Sequence, residues 1–213
     1  MRILLVTLSG THGTGKSTNA GKCYYLLNKQ GLRFSYLRHQ DLLDPLGFVL
    51  RRAGRVFGFK DTADFEKIEP VRTLSSLYYL FVYVPLLAGG IRARRLLGYN
   101  TVADRYLYDL IAGSWDNGMR LPLENLLSRL VPRPDISFVF DASEKRILAN
   151  RPEHTLQYIM NEKQQYNKLV RVFGLTRVST DNPPEVVWNY ILHEIETAFS
   201  RQNQGRSGPG AQL

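Results

Sequence analysis

The sequence predicts an α/β fold in which a doubly wound parallel sheet carries helices on both faces. Three observations point there. Five short β-rich runs (Ile3–Leu8, Arg33–Arg38, Thr101–Ala103, Ile136–Phe140 and Leu175–Ser179) are mostly near-continuous in apolar character, as expected of parallel strands covered on both sides. Stretches of helical period separate them, and such alternation folds through right-handed crossovers. A length of 213 residues suits one domain with a sizeable core and would cramp two.

Each element has its own signal. After the first strand, Ala20, Cys23, Tyr24 and Leu27 fall at i, i+3, i+4 and i+7, and Gly31 follows as a stop. A long helical region is expected over roughly 66–97. Leu156, Ile159, Met160, Leu169, Val170 and Phe173 share one face of a further helix that ends at Gly174. The last helix begins after Asp181, with Pro183 and Pro184 at its entry, and carries Val187, Ile191, Ile195 and Ala198 inward. Residues 200–213 have no apolar face and are expected to form a disordered tail, which leaves 1–199 as a single domain.

The net charge of +9, from 28 basic and 19 acidic residues, calls for anionic partners without naming one. A single cysteine, Cys23, rules out an intrachain disulfide and a cysteine cluster for zinc. Met1–Leu8 is too short for a secretory signal. The most apolar stretch, Leu77–Ile91, is about 15 residues long and falls short of the ~20 that span a bilayer. A buried core helix and a soluble, cytoplasmic protein without a membrane partner are therefore expected.

Gly10-Thr11-His12-Gly13-Thr14-Gly15-Lys16-Ser17 satisfies G-x-x-x-x-G-K-[ST], between an apolar strand and an amphipathic helix. The glycines let backbone N–H groups converge on phosphate, and the helix N-terminus adds partial positive charge. The loop, with Thr18 beside it, is thus expected to bind ATP. Lys16 reaches the β- and γ-phosphates, and the Ser17 hydroxyl ligates Mg²⁺.

Two further features turn nucleotide binding towards phosphoryl transfer. Thr101-Val102-Ala103-Asp104-Arg105-Tyr106 puts an acidic residue at the C-terminal end of a buried strand, where ligands collect in such sheets. Asp104 is a candidate for holding Mg²⁺, directly or through water, and Arg105 for reaching the phosphoryl group in flight. Arg146 and Arg151 lie five apart on a short helix that Pro152 ends. A closing lid over about 143–160 would bring cations to the equatorial oxygens and exclude water.

At this point the sequence resembles thymidylate kinase, and most closely the diverged thymidylate kinase-like proteins. The resemblance rests on the loop Gly10–Ser17, the Asp104-Arg105-Tyr106 triplet within D-R-Y-x-Y-D (Asp104–Asp109), the arginine- and Pro-Glu-containing lid resembling Arg151–Glu153, and Tyr166 beyond it. Its order and spacing run along nearly the whole of 1–199. It implies a P-loop NTPase fold with a five-stranded parallel sheet of order 2-3-1-4-5, a helical lid, and transfer from ATP to a nucleoside monophosphate, dTMP first. This chain departs from the family at the acceptor. His12 stands where an acidic residue serves the acceptor sugar, Tyr83 roughly where an arginine reads the base, and Arg38-His39-Gln40 where Arg-Glu-Pro is usual.

Chemistry ranks the acceptors. A monophosphate is already ionised and needs positioning and charge neutralisation, whereas a hydroxyl needs a carboxylate to take its proton. Arg38 suits an acceptor phosphate through its bidentate fork, and Asp41 would serve a hydroxyl. Arg72, Ser76, Tyr79 and Tyr83 form one helical stripe that could line the acceptor groove, with Tyr106 grouped beside them. His12 is a candidate acceptor contact, whereas His39, His154 and His193 have no metal spacing. The rival class, a non-catalytic nucleotide-binding or nucleic-acid-binding protein, draws on the net charge and on Arg51, Arg52, Arg55, Arg92, Arg94 and Arg95. No nucleic-acid module accompanies them, so a small nucleotide is the expected partner, with a homodimer left open.

Overall fold

The computed structural model describes residues 3–38, 45–58, 65, 68–116 and 129–204 of the chain. Five strands, β1 (Leu5–Gly10), β2 (Phe34–Arg38), β3 (Asn100–Asp104), β4 (Ile136–Asp141) and β5 (Thr176–Ser179), form one sheet of order β2-β3-β1-β4-β5. Every pairing is parallel. Seven helices are described: α1 (Lys16–Lys29), α2 (Pro45–Val56), α3 (Glu69–Leu96), α4 (Leu107–Asp116), α5 (Glu144–Asn150), α6 (Leu156–Phe173) and α7 (Pro184–Gln204). The fold expected from the sequence is the fold observed.

Alternation along the strands explains why both faces are covered. Leu5, Leu37, Ala103 and Val139 point to one side and pack with Leu87 and Ile91 of α3, Ile111 of α4 and Leu169 of α6. Val6, Leu8, Val102, Phe138 and Phe140 point to the other side and meet Ala20, Cys23 and Leu27 of α1 and Ile191 and Ile195 of α7. Period-2 geometry thus splits near-continuous apolar runs between two cores.

Register positions the site. Leu8 of β1 and Arg38 of β2 both pair with Asp104 of β3. The C-terminal ends of three strands therefore meet at one level, beneath the loop that leaves β1. Gly10 is obligatory there: its φ is +133°, and an added Cβ would lie 2.2 Å from the Phe140 carbonyl oxygen of β4.

Several expectations need correction. The apolar run in α3 is part of 28 residues of continuous helix, long and apolar enough to cross a membrane by length and composition alone. One face lies in the core, while Leu74, Leu77, Phe81 and Leu86 on the other stay exposed, so the buried-helix expectation holds for half of it. Pro85 lies inside this helix, where it has no N–H to give and its ring would collide with the carbonyl of the preceding turn. The helix widens instead into a π turn at Tyr79–Tyr83, and the Val84 N–H donates to the Tyr79 carbonyl. Of the apolar face expected on α6, Leu156 and Met160 are about half exposed; Ile159, Glu162, Tyr166 and Leu169 form its buried stripe. The last helix continues to Gln204, past the expected start of the tail.

Candidate functional site

The glycine-rich loop links β1 to α1 through left-handed turns at Gly13 (φ +75°) and Gly15 (φ +80°). Gly15 is the N-cap of α1 and offers no side-chain acceptor, so no protein cap covers the first N–H groups of the helix. Lys16 is 5% exposed and donates to the Thr11 carbonyl at 2.6 Å. Thr14 braces the same carbonyl through its hydroxyl at 2.7 Å. Burial, followed by the neighbouring Arg105 cation, lowers the Lys16 pKa to about 8, against the pull of Asp109, Glu162 and Asp104. Ser17 and Thr18 are exposed at the start of the helix.

At the end of β3, Asp104 is 3% exposed. Its Oδ2 accepts from the Tyr36 hydroxyl at 2.9 Å, and its Oδ1 is buried with no hydrogen-bond partner among the described residues. Burial and that hydrogen bond raise the Tyr36 pKa to about 12, so Tyr36 remains a neutral donor. Arg105 follows in the left-handed region at φ +71°, the one non-glycine residue among those described to do so. Such a backbone costs about 1–3 kcal/mol and persists where its surroundings over-determine it. Here the Arg105 N–H donates to Leu8 (3.0 Å), and the next N–H, of Tyr106, donates to Asp109 (3.0 Å). Asp109 also accepts from Ser9 Oγ (2.6 Å) and the Tyr166 hydroxyl (2.8 Å), which locks the strand-to-helix turn to β1 and α6. Burial alone would lower the Arg105 pKa, but Asp109, Tyr166, Glu162 and Asp104 together raise it, so the guanidinium stays a cation.

His12 connects the loop to Arg105. Its Nε2 lies 3.1 Å from an Arg105 amine, and its Nδ1 lies 2.5 Å from Glu162 of α6. Glu162 also accepts from the His12 backbone N–H at 3.1 Å. The lid stretch reaches the loop from the other side. A Cβ on Gly13 would come within 3.1 Å of Arg151 Cγ, and Asn150 donates to the Gly13 carbonyl at 2.9 Å. Arg151 is about half exposed, with Glu153 at 3.4 Å. Arg146 is exposed and makes no hydrogen bond or ion pair among the described residues. The structure brings Arg151 to the loop and shows no such contact for Arg146.

The expected acceptor residues separate. Arg38 ends β2 beside Asp104, exposed, with its guanidinium 5.6 Å from the Tyr36 ring. Arg72 is partly exposed and lies 3.8 Å from Glu69, one turn earlier on its own helix. Tyr79 is half-buried with its ring edge-on to Tyr83 at 6.0 Å. Tyr83 and Tyr106 lie deeper. They are 3% and 2% exposed within the core, and the Tyr106 hydroxyl donates to the Pro132 carbonyl at 2.5 Å. His39, Gln40 and Asp41 lie outside the described residues.

Comparison with known proteins places this geometry. No family model matches the chain. The chain is 24% identical over 208 residues, 93% of its length and all of the relative's, to a protein described as a probable thymidylate kinase of Thermococcus kodakarensis. The chain folds into a sheet of the expected order. At that distance the chain is similar to thymidylate kinase along nearly its whole length.

Within this site, most of the residues that hold others in place were not singled out from the sequence. Tyr36, Ser9 and Glu162, with Asp109 from the Asp104–Asp109 stretch, make the polar contacts around Asp104, Arg105 and His12. Glu162 had a readable signal, since it stands in the buried stripe of α6, three residues after Ile159 and four before Tyr166. The donor set suits a nucleotide with magnesium. Asp104 Oδ1 is a buried carboxylate oxygen without a partner among the described residues, and the N-terminus of α1, whose N-cap Gly15 gives no side-chain bond, lies at the same end of the sheet. Among the described residues no group of three or more His, Cys, Asp or Glu could hold a metal ion. Mg²⁺ is ordinarily held by one or two protein ligands together with phosphates and water.

Proposed function

We propose that the chain is an ATP- and magnesium-dependent phosphotransferase acting on a nucleoside monophosphate, with dTMP as the first acceptor to test. The observation that carries this reading is the meeting of three groups at the C-terminal ends of β1 and β3. These are buried Lys16, Asp104 with its unpartnered Oδ1, and Arg105 held in a left-handed turn. The relative's description as a probable thymidylate kinase supports the same reaction class.

In this reading the loop Gly10–Thr18 takes the donor phosphates and Lys16 draws charge from them. Ser17 and Asp104 would hold Mg²⁺, which neutralises phosphate charge when bound. Arg105 bridges donor and acceptor, Arg151 closes over the loop, and Arg38 takes the acceptor phosphate. Phosphoryl transfer needs chiefly positioning and charge stabilisation, and a fixed cation supplies both without reorganising during the reaction. The protein is read as cytoplasmic, with a small nucleotide as its partner.

A coupled ADP-release screen over nucleosides and nucleoside monophosphates tests the proposal. Turnover with dTMP or another monophosphate is expected. Turnover confined to nucleosides would move the acceptor chemistry to a hydroxyl, and ADP release at background throughout would reject phosphotransfer.

A further inference from the structure

Glu162 is a carboxylate where a helix of this kind buries apolar side chains. It is 8% exposed, on the inward stripe between Ile159 and Tyr166. A buried carboxylate persists when its oxygens are hydrogen-bonded, and both are used here on a single residue. Oε2 accepts from the His12 backbone N–H and Oε1 meets His12 Nδ1. On the far side of the ring, Nε2 faces Arg105 at 3.1 Å.

These partners fix the proton. Arginine has only donors, so Nε2 must present its lone pair to Arg105, and the ring proton must sit on Nδ1, where an ionised Glu162 accepts it. The reverse tautomer would set N–H against N–H on the Arg105 side and lone pair against carboxylate on the other. His154 and Tyr158, stacked on each other at 4.6 Å, approach the imidazole at 5.6 and 6.4 Å and limit its reorientation. The chain Glu162–His12–Arg105 therefore runs from a core helix, through the glycine-rich loop, to the cation at the end of β3.

We infer that Glu162 is a positioning residue: by holding His12 as the Nδ1–H tautomer, it makes Nε2 the acceptor that fixes the Arg105 guanidinium for phosphoryl transfer. Its effect on transfer rests on the phosphotransferase reading. The tautomer is independent of it.

The test compares the full-length wild type with Glu162→Gln and Glu162→Ala in two measurements. The first is the imidazole nitrogen NMR of the protein without nucleotide, with His12 assigned by its loss in His12→Gln. Wild type is expected as the Nδ1–H tautomer and Glu162→Ala as a mixture or the reverse. Glu162→Gln keeps size and one acceptor and should lie between them, which covers the case where the alanine variant does not fold. The second is steady-state transfer. The expected outcome is a kcat loss of about 10-fold or more for Glu162→Ala, partial recovery for Glu162→Gln, and a KM for ATP within about 2-fold. A wild-type His12 protonated on Nε2 overturns the inference, as does a tautomer unchanged in both variants. A rate unchanged in variants whose tautomer has changed overturns its catalytic half. Background ADP release by the wild type defeats the phosphotransferase reading and the catalytic half together, and leaves the nitrogen spectrum to decide the tautomer alone.

Discussion

Arg105 and Arg151 both lie against the glycine-rich loop, and they are held in opposite ways. Arg105 stands at the end of a buried strand, with its backbone locked at φ +71° and its guanidinium beside His12. Arg151 leaves the end of α5, about half exposed, with a 3.4 Å contact to its near neighbour Glu153. The first is a cation whose position the fold has set in advance. The second can swing, because little is lost when it leaves. In the proposed reaction such a site would divide charge stabilisation into a fixed part and a part that arrives with closure.

Removing the fixed part should have the largest effect. Lys16→Ala and Arg105→Ala are each expected to lower kcat/KM by at least about 100-fold in the ADP-release assay. Near wild-type turnover in either would dissolve the contrast. Arg151→Ala is expected to lower kcat by about 10-fold, leave ATP affinity nearly unchanged, and shift unfolding stability by no more than about 0.5 kcal/mol. A matching loss of ATP affinity would show that Arg151 binds the ground state and is no moving part. Tyr36→Phe removes the donor to Asp104 Oδ2 and should cost about 1–2 kcal/mol in denaturant unfolding. No change would mean that water replaces the hydroxyl.

The smallest signal is a proton. Lys16 holds its proton less tightly in the folded protein, with a pKa of about 8 against 10.5. The unfolded chain therefore binds more protons between these values, and this group adds stability as pH rises from about 8 towards 10.5. Below pH 8 its penalty is fully present. A bound phosphate should restore the ordinary affinity, so nucleotide binding at pH 8 should take up about half a proton. Calorimetry in buffers of different ionisation enthalpy would detect it, and Lys16→Met should abolish it.

The sheet was legible because buried parallel strands are written as apolar runs, and the loop because its glycines and lysine stand at fixed spacing. What escaped were side chains whose role depends on a partner distant in the chain. Tyr36 reaches Asp104 across 68 positions, and Glu162 reaches His12 across 150, distances over which no local pattern extends. The burial of Tyr106 was hidden for a related reason: it follows Arg105 directly, but its ring turns into the core.

The π turn at Tyr79–Tyr83 changes how α3 can be counted. From Ile91 and Leu87 back to Val84 the inward positions keep helical time, and an unbroken α-helix would bring Ser76 or Leu77 inward one turn beyond the widening. Instead Ser75 is the residue with no exposure, while Leu77 is 47% exposed. The extra residue has shifted the phase by one position, about 100° around the axis. Arg72, Ser76 and Tyr79 all precede the widening and keep their common helical phase, whereas Tyr83 lies across it, so a position found by counting along this helix through the turn lands on the wrong face.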